Sequence, residues 1–284
     1  LLSKVFGPVQ HSSPLIFYEK MEAATSRLTQ KEREALARQD AAFLAAGLTK
    51  DPRSMQAHLR HVARLLHDHR SNSPCADAVG HIYDALERSV PSSSRALLAC
   101  AKGCAFCCNQ PVIVNAPEVF FLINTIRDRP DRVSAMAQAA EFLRNRRADA
   151  PRVAWLQCPL LIENSCSAYG ERPLACRTYV SVDVNDCMSG YPQPGDAVIR
   201  APADYNELNR VYRSMLQIAL MANGYPTNCY ELNGAVTAAL AVADAERRWL
   251  RGEDIFADLP VVAPLPPEAR EWVAKVAGTV ARTL

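Results

Sequence analysis

The sequence has no apolar run approaching the length of a membrane span. It also has almost no net charge: 32 Lys and Arg stand against 30 Asp and Glu, a formal +2. It therefore lacks the basic footprint of a nucleic-acid surface. Nothing at its beginning has the charged, apolar and small-residue order of a secretory signal. There is no internal repeat, no low-complexity tract and no Gly-rich loop set between a strand and a helix to cradle a nucleotide. No nucleophile–base pair stands out. Carboxylates are not clustered near the cysteines, which argues against a hard cation. These absences point to a cytoplasmic protein with neither nucleic-acid nor membrane partners. Its 284 residues suffice for one large domain or two small ones, with an ordinary 49% apolar content.

What the chain does have is cysteine, ten in all, unevenly spread. Cys100, Cys104, Cys107 and Cys108 fall within nine residues, and Cys158, Cys166 and Cys176 form a second group. A chain this long is not a small disulfide scaffold, and the adjacent Cys107-Cys108 pair is awkward for a framework of bridges. The spacing suits a soft metal instead. The Cys104-x-x-Cys107 step can aim two sulfurs at one point. Cys100 lies one helical turn before Cys104 and can share its face, while Gly103 permits a positive φ. The side chains of Cys107 and Cys108, as neighbours, are expected to diverge. In the second group, Asn164-Ser165 reads as a turn between two short extended pieces that carry Cys158 and Cys166. Arg172-Pro173 then opens a short helix carrying Cys176, with Pro173 in its first turn. Folding would bring the two groups together as halves of one site.

These residues carry a resemblance. Cys100-x-x-x-Cys104-x-x-Cys107-Cys108, followed by Cys158-Pro-x-Leu, Cys166-x-x-Tyr169 and Arg172-Pro-x-x-Cys176-Arg177, resembles the CxxCxxCC family of YkgJ type, described as zinc- or iron-chelating. The resemblance covers roughly residues 100–180, and Glu118 fits the same pattern. Asn164-Ser165 stands where a glycine is usual before Cys166, and Ala168 where a larger aliphatic is usual. The cysteine cluster is also similar, more distantly, to that of the flagellin lysine N-methylases, which are associated with an iron–sulfur centre. What this resemblance implies is a cluster more than methylation.

Along the chain, residues 1–20 read as loop and Thr29 to Leu48 as a helix. Asp51-Pro52 starts a helix to about His69, and another spans Ala76 to Leu86. The first of these two carries His58, His61, His67 and His69. By helical projection His58, His61 and His69 share a side, either as an auxiliary metal site or as the polar border of an amphipathic helix. Pro91-Ser92-Ser93-Ser94 reads as a linker. Pro111 to Val114 reads as a short strand, and Asn115 with Glu118 as a capping box for a helix ending by Arg127. A helix from Pro130 to about Arg147 follows, its basic end (Arg144, Arg146, Arg147) complementing the helix dipole. Ser181 to Ala201, with Cys187, reads as loop. Helices are expected over Asp204 to Asn223, Tyr230 to Leu250 and Glu268 to Leu284, and Cys229 reads as structural.

The expected fold is mainly α: a helical domain around a central Cys-rich core with a short β-hairpin. Its parts are an N-terminal helical region (1–92), the cysteine-cluster core (93–190) and a C-terminal helical region (191–284). The metal donors are Cys100, Cys104, Cys107, Cys108, Cys158, Cys166 and Cys176, with Cys104, Cys107, Cys158 and Cys176 as the first choice of direct ligands. Lys102, Tyr169, Arg172 and Arg177 are placed around them, since a thiolate cluster carries negative charge that nearby cations and donors stabilise. Four thiolates close a structural zinc site, and four cysteines also hold a [4Fe–4S] cluster. Seven thiols exceed both counts, and the methylase resemblance tips the reading towards iron–sulfur. The role is redox, sensing or structural. The alternative is an enzyme, resembling an S-adenosylmethionine-dependent lysine methyltransferase or using the cluster for redox chemistry.

Overall fold

A computed structural model of the chain describes residues 52–68, 70–101, 103–145, 156–190, 199–262 and 264–284. The expected loop over 1–20 and helix over Thr29 to Leu48 lie outside these residues. Among the described residues the protein is mainly α, with eleven α-helices and two small antiparallel strand pairs.

Two helices open the described chain, α1 (Pro52–His67) and α2 (Pro74–Ser89). Each buries a stripe at helical spacing: Leu59, Val62, Ala63 and Leu66 from α1, and Cys75, Ala78, Val79, Ile82 and Leu86 from α2. Burying each Val, Leu or Ile contributes about 1.5–3 kcal/mol. The linker expected at 91–94 is instead the start of a short helix, α3 (Ser92–Ala96). Pro91 holds φ near −59° before it, and the Ser94 hydroxyl, itself buried, donates to the Asp204 carboxylate. A serine tied to a distant carboxylate behaves as packed structure rather than as linker.

The first cysteine motif ends in a 3₁₀ turn (Phe106–Asn109) and leads into β1 (Ile113–Asn115). Helices α4 (Ala116–Ile126) and α5 (Pro130–Arg144) follow. Of the basic end expected on α5, Arg146 and Arg147 lie outside the described residues. Strands β2 (Leu161–Ile162) and β3 (Ser165–Cys166) form the hairpin, and α6 (Leu174–Thr178) follows it. The turn differs from expectation. Glu163 and Asn164, at φ 47° and 60°, are its two central residues, both left-handed as a two-residue primed turn requires. Ser165 is therefore on β3, and Cys158 lies before β2 rather than on a strand.

Two further expectations are corrected. The segment after Ser181 is not all loop: it forms α7 (Val184–Gly190). The Asp183 carboxylate accepts from Asn185 N–H at 2.9 Å, and Asp186 pairs with Arg200 at 2.9 Å, so the acidic residues that suggested a loop instead anchor a helix. The helix expected from Tyr230 to Leu250 is three elements: β4 (Cys229–Glu231), α9 (Leu232–Leu240) and α10 (Ala245–Leu250). Tyr230 pairs with Val114 across the β1–β4 ladder, and Asp244 takes a left-handed conformation (φ 52°) that interrupts the helical path.

Between these stand α8 (Ala203–Ala222) and, at the end, α11 (Pro267–Ala281). The 20-residue α8 is about 30 Å long. It packs against α1, α2, α6 and α11, while α9 packs against α4 and α5. One continuous apolar cluster runs from Leu59 through Phe120 to Trp249 and Val280. The cysteine motifs sit at one side of this frame, held by α2, α4, α6 and α8.

Candidate metal centre

The side chain that joins the frame to the cysteines is Glu118. The capping box forms: Asn115 Oδ1 accepts from Glu118 N–H at 3.4 Å, and Glu118 Oε2 accepts from Asn115 N–H at 3.2 Å. Its other oxygen accepts from Leu174 N–H at 2.8 Å and from the Tyr83 hydroxyl at 3.1 Å. One carboxyl, only 2% exposed, therefore ties the start of α4 to α2 and to the first residue of α6, the helix that carries Cys176. Burial raises its pKa, against the lowering effect of the Leu174 N–H, Arg213, the Asn115 N–H and Tyr83.

Several short pieces of chain present the thiols. Gly103, at φ 92°, turns the chain so that Cys104 N–H reaches the Ala101 carbonyl. The 3₁₀ turn carries Cys107 and Cys108. Cys158 follows, its N–H donating to the Cys108 carbonyl at 2.6 Å, a main-chain clasp between the two motifs. Strand β3 presents Cys166, and α6 presents Cys176, whose N–H donates to the Pro173 carbonyl at 2.9 Å. Cys100 is held from the far side, its sulfur accepting from Ser181 N–H at 3.3 Å.

All seven thiols line one cavity of about 850 Å³. All ten cysteines are free thiols. The thiols lie close enough to affect one another: a thiolate at Cys107 would raise the pKa of Cys100, Cys158, Cys166 and Cys176, and one at Cys158 or Cys166 would also raise that of Cys176. Cys107 and Cys108 both line the cavity from the 3₁₀ turn, and the neighbouring Cys108 thiol together with burial holds the Cys107 pKa far up. Burial raises the thiols of Cys100, Cys166 and Cys176 and takes Cys158 to about 11. Among the described residues, no three His, Cys, Asp or Glu side chains are already gathered as ligands of one metal ion.

The cations differ in what they do. Arg177 is fully engaged: it pairs with Glu87 at 3.1 Å, donates to the carbonyls of Arg172 and Gly170, and lies 4.1 Å from the centroid of the Tyr83 ring. Arg172 stacks on Tyr169, its guanidinium carbon 3.6 Å from the ring centroid. Its charge lowers the pKa of Cys100, Cys107, Cys166 and Cys176 against their burial. Its Nε is buried with no hydrogen-bond partner among the described residues. A buried donor left unpaired beside several sulfurs fits an anionic thiolate centre, since such a donor is costly unless something accepts from it. Lys102 lies outside the described residues.

Soft donors, a cation and an unpaired N–H thus surround one space, a donor set suited to zinc or iron–sulfur rather than to a hard ion. Residues 99–194 match the CxxCxxCC family model. Its description reads "Putative zinc- or iron-chelating domain", and the match covers about a third of the chain. No curated protein and no solved structure matches the chain. The CxxCxxCC segment contains the seven motif cysteines, Glu118, Tyr169, Arg172 and Arg177.

The remaining cysteines do not line the cavity. Cys187 is buried on α7 against Phe106, Cys107 and Tyr179, Cys229 is buried on β4, and Cys75 is buried on α2. Sequence reading missed what Glu118 does for α6 and the reach of Tyr83, because both act across more than thirty residues. The histidines of α1 also stand away from the cavity. His67 contacts Asn223 at 3.2 Å, His69 lies outside the described residues, and His58 and His61 meet His81 of α2, a partner that no spacing had suggested.

Proposed function

We propose that the cysteine-lined cavity holds a thiolate-bound iron–sulfur cluster of the [4Fe–4S] kind, in a redox or sensing role, with zinc in a structural role as the competing occupant. The observation that carries this is the lining of one cavity by seven thiols from two motifs fifty residues apart in sequence. A single tetrahedral zinc uses four sulfurs drawn closely around one ion. Either centre uses four of the seven thiols; the similarity of the cysteine motif to the cluster of the flagellin methylases favours iron–sulfur, and the buried, unpartnered Arg172 Nε supports an anionic centre. Cys104, Cys107, Cys158 and Cys176 are the proposed ligands, with Cys100, Cys108 and Cys166 flanking them in the same cavity. Bound there, an iron–sulfur centre would supply one-electron chemistry. The chain's own contribution is to gather the thiols and place the Arg172 charge against them.

The test is metal and acid-labile sulfide analysis of protein purified without oxygen. Iron and sulfide in near-equal amounts, with visible charge-transfer absorption, support the cluster. A colourless protein holding stoichiometric zinc replaces it with the structural reading. Protein that takes up neither under reconstitution overturns both.

A further inference from the structure

Helices α1 and α2 bring together three imidazoles that take no part in the cysteine cavity. His58 and His61 lie one turn apart on α1, close enough to share a face. His81, on α2, reaches both. Its Nε2 is 2.8 Å from His58 Nδ1, with ring centroids 5.0 Å apart, and its ring meets His61 edge-on at 4.5 Å. His58 and His81 are half-buried, so solvent reaches them, and His61 is exposed. Asp84, one turn beyond His81, sets a negative charge against His81, while Arg88 sets a positive one against both His81 and His58.

We propose that His58, His61 and His81 form a second metal site, distinct from the thiol cavity, for a late first-row divalent cation such as Zn²⁺, Ni²⁺ or Co²⁺. Imidazole is a preferred ligand of these ions. Two imidazole nitrogens on one tetrahedral ion, each about 2.05 Å from it, lie about 3.3 Å apart. The His58–His81 pair, now 2.8 Å apart through a hydrogen bond, therefore has to open by only about half an ångström. The rings are not yet gathered around a point. Imidazole χ2 torsions are broad, and turning the rings moves nitrogens without moving helices. The Asp84 carboxylate offsets part of the Arg88 charge that a bound cation meets.

The test uses the full chain with its thiol centre already loaded, titrated anaerobically with Co²⁺. The expected result is one further equivalent, giving cobalt d–d absorption without thiolate-to-cobalt charge transfer. X-ray absorption at the cobalt edge should show nitrogen ligands and no sulfur. Outer-shell changes at metal sites already cost about 10–100-fold in affinity, so removing two ligands in the His58→Gln/His81→Gln variant should weaken this equivalent by at least about a hundredfold. The metal content of the thiol centre should not change. His61→Gln alone, an exposed change that leaves the His58–His81 contact intact, should weaken it as well. The proposal is overturned if no further equivalent binds, if sulfur appears in the cobalt shell, or if both variants bind as the parent does. In any of these cases the three rings are only the polar border between two helices.

Discussion

Replacing Glu118 by Ala tests whether a single buried carboxyl holds the cysteine helix in place. The side chain accepts from Leu174 N–H, Asn115 N–H and Tyr83 Oη–H at 2.8, 3.2 and 3.1 Å, in a site only 2% exposed. Truncation leaves these three donors facing a void. An unsatisfied buried donor costs about 1–3 kcal/mol. If the Asn115 N–H and the Tyr83 hydroxyl recover water, the remaining loss, with the cap, is about 1.5–5 kcal/mol. At about 2–4 °C per kcal/mol for a chain of this size, the melting temperature should fall by about 3–20 °C. The damage should be directional, because Leu174 N–H opens α6, the helix that carries Cys176. Loss of metal to a chelator should therefore accelerate in the variant well below its melting temperature. Thermal unfolding followed by circular dichroism, beside chelator-release kinetics, reads both effects. Glu141→Ala, an exposed change on α5, serves as control and should stay within about 0.5 kcal/mol of the parent. A Glu118→Ala protein melting within 2 °C of the parent, with unchanged metal release, would refute the reasoning.

Three further outcomes are expected. Gly103→Ala should cost about 1–2 kcal/mol in urea unfolding, since a Cβ there meets nothing within 4 Å and the penalty comes only from φ 92°; Gly80→Ala, inside α2 and equally open, should instead stabilise by about 0.5–1 kcal/mol. Arg172→Gln should speed metal release about 10–100-fold while Arg172→Lys, which keeps the charge, recovers part of it; equal rates in all three proteins would deny Arg172 a part in holding the centre. Burial, then the nearby His61, His58 and Arg88, lowers the His81 pKa from 6.5 to about 4. The unfolded chain then binds the extra proton first, so the contribution of neutral His81 is whole above pH 6.5 and is lost as pH falls towards 4. Screening at this half-buried ring reduces the effect to about 1 kcal/mol, and the parent-minus-His81→Gln stability difference should change by that amount over this window and nowhere above it.

Much of the helical frame was legible because its signals are local. Pro52 at a helix start, the Asn115–Glu118 capping box and the stripe along 204–223 each fix an element within one or two turns of chain. The meeting of the two cysteine groups was legible too, because thiols at turn spacing have few other uses. What was not legible depends on distant partners. Tyr230 joins a strand because Val114 lies opposite it, a pairing across more than a hundred residues that no local pattern announces. The Gly-, Pro- and Asp-rich segment after Ser181 reads as loop until Arg200 is placed against Asp183 and Asp186. Ser94 reads as linker until Asp204 reaches it. At the cavity, sequence singled out the seven thiols that line it and the neighbouring Arg172 and Arg177, but not what each arginine does. Arg177 is consumed by Glu87, Tyr83 and backbone carbonyls, whereas Arg172, which also lines the cavity, has a buried N–H with no partner among the described residues.

The most direct measurement is X-ray absorption at the metal edge of anaerobically loaded protein, taken for the parent, Cys107→Ser and Cys176→Ser. A centre shared by the two motifs predicts a first shell of sulfur at about 2.3 Å in the parent, with either substitution removing sulfur from that shell or emptying the site. An oxygen- and nitrogen-only shell in the parent, or a sulfur shell untouched by both substitutions, would contradict a metal bound between them.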